Sequence, residues 1–341
     1  MPQLVKAGRI CAGNIKVEGG DHVRTLKEAD FSDMYLDSGL KNSRLRHRGD
    51  NLLHPLPDDI TEDCKRLLRY IENTPRTEAE IKEFSVPYDD VMYRVSVIPD
   101  INGVVYAVRK GSVFIPALSS CGVDAGILDM LLKSTTGLVM VAGSFDTGKT
   151  TLASALCLEH SMLGALCITL EDPPELALSG DHGKGRILQV QISRTKIEQA
   201  IEDSLRMSFD VLFLSEIRTA GMAQEVVNAS ANGKRVITTI HADSAVNAIA
   251  KLVSMGDGEG QNNAVFREML GGTLKAVIYM HKDEHGHRGA KEYILGCQET
   301  ASKIASGEYK SLQNLVNRIR SQINLGLPVN VSNESGSGFH S

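Results

Sequence analysis

The stretch "VAGSFDTGKTTLASAL", Val141 to Leu156, joins two kinds of pattern. Ahead of it and into its start, "GLVMVAG" is a short apolar run suited to a buried strand. Its second half, running on as "TTLASALCLEH", is Ala/Leu-rich and reads as a helix. Between them lies Gly143-x-x-x-x-Gly148-Lys149-Thr150. That spacing suits a loop whose backbone N–H groups wrap a phosphate chain. Gly143, Ser144, Phe145, Asp146, Thr147, Gly148, Lys149, Thr150 and Thr151 are therefore the candidate nucleotide-binding residues. In this reading Lys149 reaches the outer phosphates and the Thr150 hydroxyl ligates Mg²⁺. The helix N-terminus adds the positive end of its dipole. The competing reading is a chance match in a glycine-containing loop, and the strand before and helix after argue against it. Asp146 stands where such loops often carry another glycine. Asp tolerates positive φ better than most residues, so the turn survives, but its charge beside phosphate is a cost.

Working outward, the 341 residues suit one large or two medium domains, and 42% apolar residues suffice for real cores. A net charge of −5 carries no basic signature, so no direct nucleic-acid partner is expected. The cysteines are scattered without a C-x-x-C pair, which suits reduced thiols in a cytoplasmic protein rather than a disulfide framework. No apolar signal region opens the chain and no run approaches membrane-spanning length.

Upstream, "FSDMYLDSG" (31–39) has strand character. "DITEDCKRLLRYIEN" (59–73) reads as an amphipathic helix with Ile60, Cys64, Leu67, Leu68 and Ile71 on one face. "VMYRVSVIPD" and "VVYAVRK" alternate around "INGV" as a hairpin. These features make a small α+β domain over 21–112, behind an arm at 1–20 and ahead of a linker at 113–124. The second half alternates strand candidates at 165–170, 186–192, 211–214 and 235–240 with helical stretches. Ser193 and Asp243 are expected to cap two of those helices, and Gly233 to end a third. Such alternation predicts a parallel or mixed sheet covered by helices over 125–328, an α/β domain. The Ser/Gly/Asn-rich residues 329–341 read as a disordered tail.

Hydrolysis needs an oriented water and acidic support for Mg²⁺ as well as a phosphate loop. "LEDPPE" places Glu171, Asp172 and Glu175 straight after a strand, where α/β ligand sites lie; alternatively it is an ordinary acidic turn. "FDVLFLSEIR" buries a strand and ends on Glu216, an acid placed to hold Mg²⁺ or to polarise the attacking water, while Asp210 at the strand's start reads as structural. "RVITTIHADS" puts His241 at another strand end, as a phosphate sensor or as a structural imidazole. His281, His285 and His287 in "HKDEHGHRG" read as a charged hairpin turn in preference to a metal site.

Taken together, the phosphate loop, "LEDPPE", "LRMSFDVLFLSEIR" and "ANGKRVITTIHADSA" occur in the order found in the secretion (traffic) ATPases of type II and type IV secretion and of type IV pili. The resemblance covers about Tyr93 to Met255. It implies a PAS-like N-terminal domain followed by a RecA-like P-loop ATPase domain. It also implies an ATP hydrolase using ATP and Mg²⁺, and a homo-hexamer recruited peripherally to inner-membrane machinery. By resemblance, Glu171 is the best candidate for general base, with Glu216 the alternative, Glu216 the Walker B acid and second metal-site residue beside Thr150, and His241 the His-box residue. Arginines resembling Arg94 and Arg109 reach the nucleotide across a subunit boundary. Arg206 and Arg218 flank the Walker B strand without facing the γ-phosphate.

The departures are specific. Thr219 stands where the family usually has Asp, Ser215 where it has Gly, and Lys234-Arg235 where it has His-Leu. The tetracysteine zinc insert of many relatives is absent. That favours the short, retraction-like branch, and within it the motors of Dot/Icm-type secretion and plasmid conjugation. A pilus retraction motor and a DNA-translocating RecA-like motor are the alternatives, with a non-hydrolysing assembly subunit behind them.

Overall fold

The computed structural model describes residues 24–74, 82–111, 115–256 and 263–329. The expected arm, residues 113 and 114 of the expected linker, and 330–341 of the expected tail lie outside them. The chain divides into two compact units at 114/115, with Glu175–Ala177 belonging to the first.

In the first unit, strands β1 (Asp33–Asp37), β2 (Arg44–Arg46) and β3 (His54–Pro55) precede helix α1 (Asp58–Asn73). Strands β4 (Glu83–Tyr88), β5 (Val91–Asp100) and β6 (Gly103–Lys110) follow it. They form one antiparallel sheet in the order β3-β2-β1-β6-β5-β4. The expected hairpin is β5–β6, closing with Asp100 opposite Gly103. All five expected apolar residues of α1 are buried, and they share a core with Met34, Leu36, Val86, Tyr93 and Val95 of the sheet. Each such side chain contributes about 1.5–3 kcal/mol on leaving water. Asp58 and Asp59 occupy the first turn of α1, where the helix dipole favours negative charge.

The second unit opens with α2 (Ala125–Lys133), β7 (Gly137–Gly143), α3 (Lys149–Met162) and β8 (Leu166–Glu171). Next come β9 (Gly180–His182), β10 (Gly185–Gln191), α4 (Ile197–Ser204), β11 (Val211–Leu214) and α5 (Ala220–Ala231). β12 (Arg235–His241), α6 (Ala245–Gly256), α7 (Asn263–Thr273), β13 (Leu274–Lys282), β14 (Arg288–Leu295), α8 (Gln298–Ser306) and α9 (Leu312–Asn324) complete it. The sheet order is β14-β13-β7-β12-β11-β8-β10-β9. Its interior pairs are parallel and its two outermost pairs, β14–β13 and β9–β10, antiparallel.

Central parallel strands are covered on both faces, which explains their unbroken apolar runs. Leu138, Met140, Leu170, Leu212 and Val236 pack with α4, α5, α6 and α7 on one face. Val139, Val141, Phe213 and Ile237 pack with α2 and α3 on the other. Because β7, β12, β11 and β8 run parallel, Gly143, His241, Leu214 and Glu171 all reach the same edge of the sheet.

Two capping expectations are corrected. Arg194–Lys196 form a 3₁₀ turn ahead of α4, and the Ser193 side chain makes no capping bond; its hydroxyl pairs with the Thr195 hydroxyl at 3.2 Å. At α6 the cap is Ser244, whose Oγ accepts from the Asn247 N–H at 3.1 Å. Asp243 instead accepts from the Asn247 side chain at 2.7 Å. Both polar residues were equally eligible as caps, and the chain's entry angle chose between them. Thr219 caps α5 by accepting from the Met222 N–H, and Gly233, at φ 82°, follows that helix. Asp210 ties β11 to β8 through the Leu166 N–H at 2.9 Å. The cysteines among the described residues are free thiols. No helix among those residues is long and apolar enough to cross a membrane.

Candidate functional site

The buried strand β7 ends at Gly143 and the chain turns through residues 144–148 into α3. A Cβ on Gly143 would lie 2.5 Å from the Thr147 hydroxyl and 2.7 Å from the Met280 carbonyl, so glycine is required there. Gly148 takes φ 90° and forms the N-cap of α3. Lys149 and Thr147 are buried, and both side chains donate to the Ser144 carbonyl, at 2.6 and 3.0 Å. The first N–H groups of α3 have no carbonyl within the helix to accept them, an arrangement suited to an anion. Thr150 and Thr151 lie half-buried in its first turn. Ser144 and Phe145 are exposed, Phe145 at 88%.

Asp146 adopts φ 58°, the left-handed turn allowed for it from sequence. Such backbone costs a non-glycine residue about 1 kcal/mol. Its charge is countered from far along the chain. Lys282 Nζ lies 2.7 Å from one carboxylate oxygen and Arg288 Nη2 lies 2.8 Å from the other. Lys282 foremost, then Arg288, hold this carboxyl below its usual range.

The acids separate. Glu171 ends β8 at 1% exposure, and its Oε1 accepts from Thr169 at 2.7 Å and Gln189 at 2.8 Å. Glu175 belongs to the first unit and pairs with Arg94 there at 3.4 Å. Arg109, in the same unit, pairs with Asp33 at 2.8 Å.

Glu216, just past β11, joins the site. Its Oε1 lies 3.3 Å from His241 Nε2, and its Oε2 accepts from Arg218 at 2.6 Å. His241 Nδ1 lies 3.5 Å from Lys149 Nζ. A lysine only donates, so the imidazole proton belongs on Nε2, facing Glu216. Partial burial, then the Lys149 charge, lowers the pKa of His241 against the opposing pull of Glu216, which keeps the ring neutral near pH 7. Arg218, two residues beyond Glu216 in sequence, thus meets that carboxylate from beside the β11 strand end. That spacing was the available signal. The strand ends are tied by Thr239, which donates to the Ser215 carbonyl at 2.6 Å. A cleft of about 520 Å³ opens beside the chain of contacts, lined by Ser144, Phe145, His241, Ala242, Asp243, Asn247 and Lys251.

A phosphate loop, a buried lysine and an acid–imidazole pair thus meet at one sheet edge. Residues 22–307 match the model of a family described as type II/IV secretion system protein. The chain belongs to that family. Among curated members, the type II secretion system protein E of Pseudomonas aeruginosa is 29% identical over 244 residues, covering 66% of this chain and 47% of that protein. The chain spans about half the length of such relatives. Its fold is similar to that of the pilus retraction motor PilT, solved with bound ADP. The TM-score is 0.66 at 20% identity, covering 89% of this chain and 94% of that one. It is similar also to the Legionella pneumophila ATPase DotB, with a TM-score of 0.64 at 16% identity, covering 87% and 89%.

Among the described residues no group of three His, Cys, Asp or Glu side chains could hold a metal alone. In particular, His281, His285 and His287 lie on the turn between β13 and β14 and its flanks, with His287 paired to Asp283 at 3.1 Å. Mg²⁺ commonly binds through one or two protein oxygens plus phosphates, and Thr150 and Glu216 are oxygen donors of that kind.

Proposed function

We propose that this protein is an ATP hydrolase that works as a homo-hexamer and powers a type IV secretion or conjugation machine from the cytoplasmic face of the inner membrane. The observation that carries this reading is the line Arg218–Glu216–His241–Lys149, which runs from the Walker B strand end to the phosphate loop. Residues 143–151 bind the triphosphate through backbone N–H groups, and Lys149 exchanges its contact with the Ser144 carbonyl for the outer phosphates. Thr150 and Glu216 would hold Mg²⁺, which would neutralise developing phosphate charge when bound. Glu171, oriented by Thr169 and Gln189, accepts the proton of the attacking water. His241 stays neutral and relays the position of Lys149 to Glu216. The PAS-like reading of the first unit belongs to the same proposal. Its Arg94 and Arg109 complete a neighbour's site, because exposed ion pairs such as theirs are worth at most about 1 kcal/mol and exchange partners readily.

Steady-state ATP turnover of the purified protein tests the reading. Lys149→Ala should lower turnover by ~10²–10³-fold, the loss expected for one transition-state contact. Near-normal turnover in that variant overturns the assignment. Arg109→Ala should bind ATP without hydrolysing it, and mixing it with Lys149→Ala should restore part of the rate. No recovery, in an assembly shown to exchange subunits, places the arginine's action within its own chain.

A further inference from the structure

The β13–β14 hairpin carries two cations to the phosphate loop, and the proposed hydrolysis gives them no part. Lys282 and Arg288 stand 136 and 142 residues from Asp146, yet both bind its carboxylate. Arg288 also donates through Nε to the Asp146 carbonyl at 3.0 Å, so it grips the backbone as well as the side chain. A Cβ on Gly148 would meet Arg288 Cδ at 3.4 Å, so the arginine's stem lies along the last glycine of the loop. On the strand side, the Met280 carbonyl of β13 crowds Gly143. One hairpin therefore touches the first glycine, the apex and the last glycine of the same loop.

We propose that Lys282 and Arg288 are positioning residues of the phosphate loop: by gripping Asp146 they hold the apex in its left-handed turn and cancel the negative charge that an incoming nucleoside polyphosphate meets. A glycine at the apex would need neither service, having no Cβ and no charge. Asp needs both, because left-handed backbone strains it and a free carboxylate repels phosphate. Asp146 and the two cations thus act as one unit. The cations work through the carboxylate, not through contact with the nucleotide.

This role rests on the nucleotide-binding reading, and the test separates the two. Binding of a fluorescent ATP analogue is titrated into the full chain and into Arg288→Gln, Lys282→Gln, Asp146→Gly and Asp146→Gly/Arg288→Gln. Gln retains a stem over Gly148 while losing the charge. Arg288→Gln should weaken binding about 5-fold, as loss of an exposed ion pair allows, and should raise KM while leaving kcat. Arg288→Lys should recover most of that affinity, and high salt should shrink the difference. In the Asp146→Gly background, Arg288→Gln should change affinity less than about 2-fold, since no carboxylate remains to be neutralised. An equal loss in both backgrounds means that the arginine acts other than through the carboxylate, by its bond to the residue-146 carbonyl or by touching nucleotide, and overturns the proposal. Unchanged affinity in both Arg288→Gln and Lys282→Gln also overturns it. If Arg288→Gln does not fold, Lys282→Gln carries the same cycle with Asp146→Gly. A wild-type chain that binds no ATP analogue overturns the nucleotide reading and this role with it.

Discussion

At the start of β12, Arg235 is 7% exposed and donates to Nδ1 of the 3%-exposed His160 at 2.7 Å. At the end of the same strand, half-exposed His241 faces Lys149 and Glu216 beside an open cleft. Each end thus pairs an imidazole with a cation, but in different settings. Burial, reinforced by Arg235, drives the pKa of His160 down to about 3. His241 is lowered by burial and Lys149 while Glu216 pulls the other way. The first pair is buried, joins α3 to the start of β12, and serves packing. The second stays reachable and balanced between charges, as chemistry requires. Parallel strands put ligand sites at their carboxyl ends, and β12 shows what the other end becomes instead.

The sharpest way to test that contrast is to remove charge at the open end. Glu171→Gln and Glu216→Gln should keep ATP binding and lose turnover by ~10²–10⁴-fold, with thermal midpoints close to wild type. Wild-type rates in both variants would make the open end a bystander. At the closed end, Arg235→Ala should lower unfolding free energy by about 2–4 kcal/mol, from the cavity and from the abandoned His160 acceptor. Its turnover per folded molecule should match wild type. A fully folded Arg235→Ala protein without turnover would break the division of labour between the two ends.

Acid titration gives the most graded effect. The folded pKa of His160, about 3, lies below its ordinary 6.5, so the unfolded chain takes up the proton first. Stability is therefore full above pH 6.5 and falls as pH drops towards 3, by about 1.4 kcal/mol per pH unit from this group. Denaturant titrations at several pH values, compared between wild type and His160→Asn, should show the extra slope only in wild type. Equal slopes would mean that the ring titrates normally. At the open end, any inflection that His241 gives to turnover at saturating ATP should lie below pH 6.5, because burial and the Lys149 charge lower its pKa.

Much of this was legible in one dimension. The phosphate loop announces itself because its glycines, lysine and threonine act within eight consecutive residues. Helix α1 and the β5–β6 hairpin are readable because burial imposes periods of 3.6 and 2 on local sequence. Glu216 and His241 are readable as polar residues ending apolar strands. The helix caps were less so: Ser193, Asp243 and Ser244 have similar chemistry, and only the backbone's approach decides which side chain meets an orphan N–H.

The sequence by itself determined the phosphate loop, the strands β8, β10, β11 and β12 around it, and the family to which the chain belongs. The tertiary structure alone decided how each charge is answered. Asp146 reads locally as a liability, and it becomes a held charge because β13 lies beside β7 in the sheet. Lys234-Arg235 reads as a departure from the family pattern, and Arg235 is accommodated because His160 lies across from it, 75 residues earlier in the chain. Glu171 and Glu175, four residues apart, end in different units. Hydrophobic periodicity is local, whereas electrostatic pairing depends on which strands become neighbours, and neighbourhood in a sheet is not written in sequence separation.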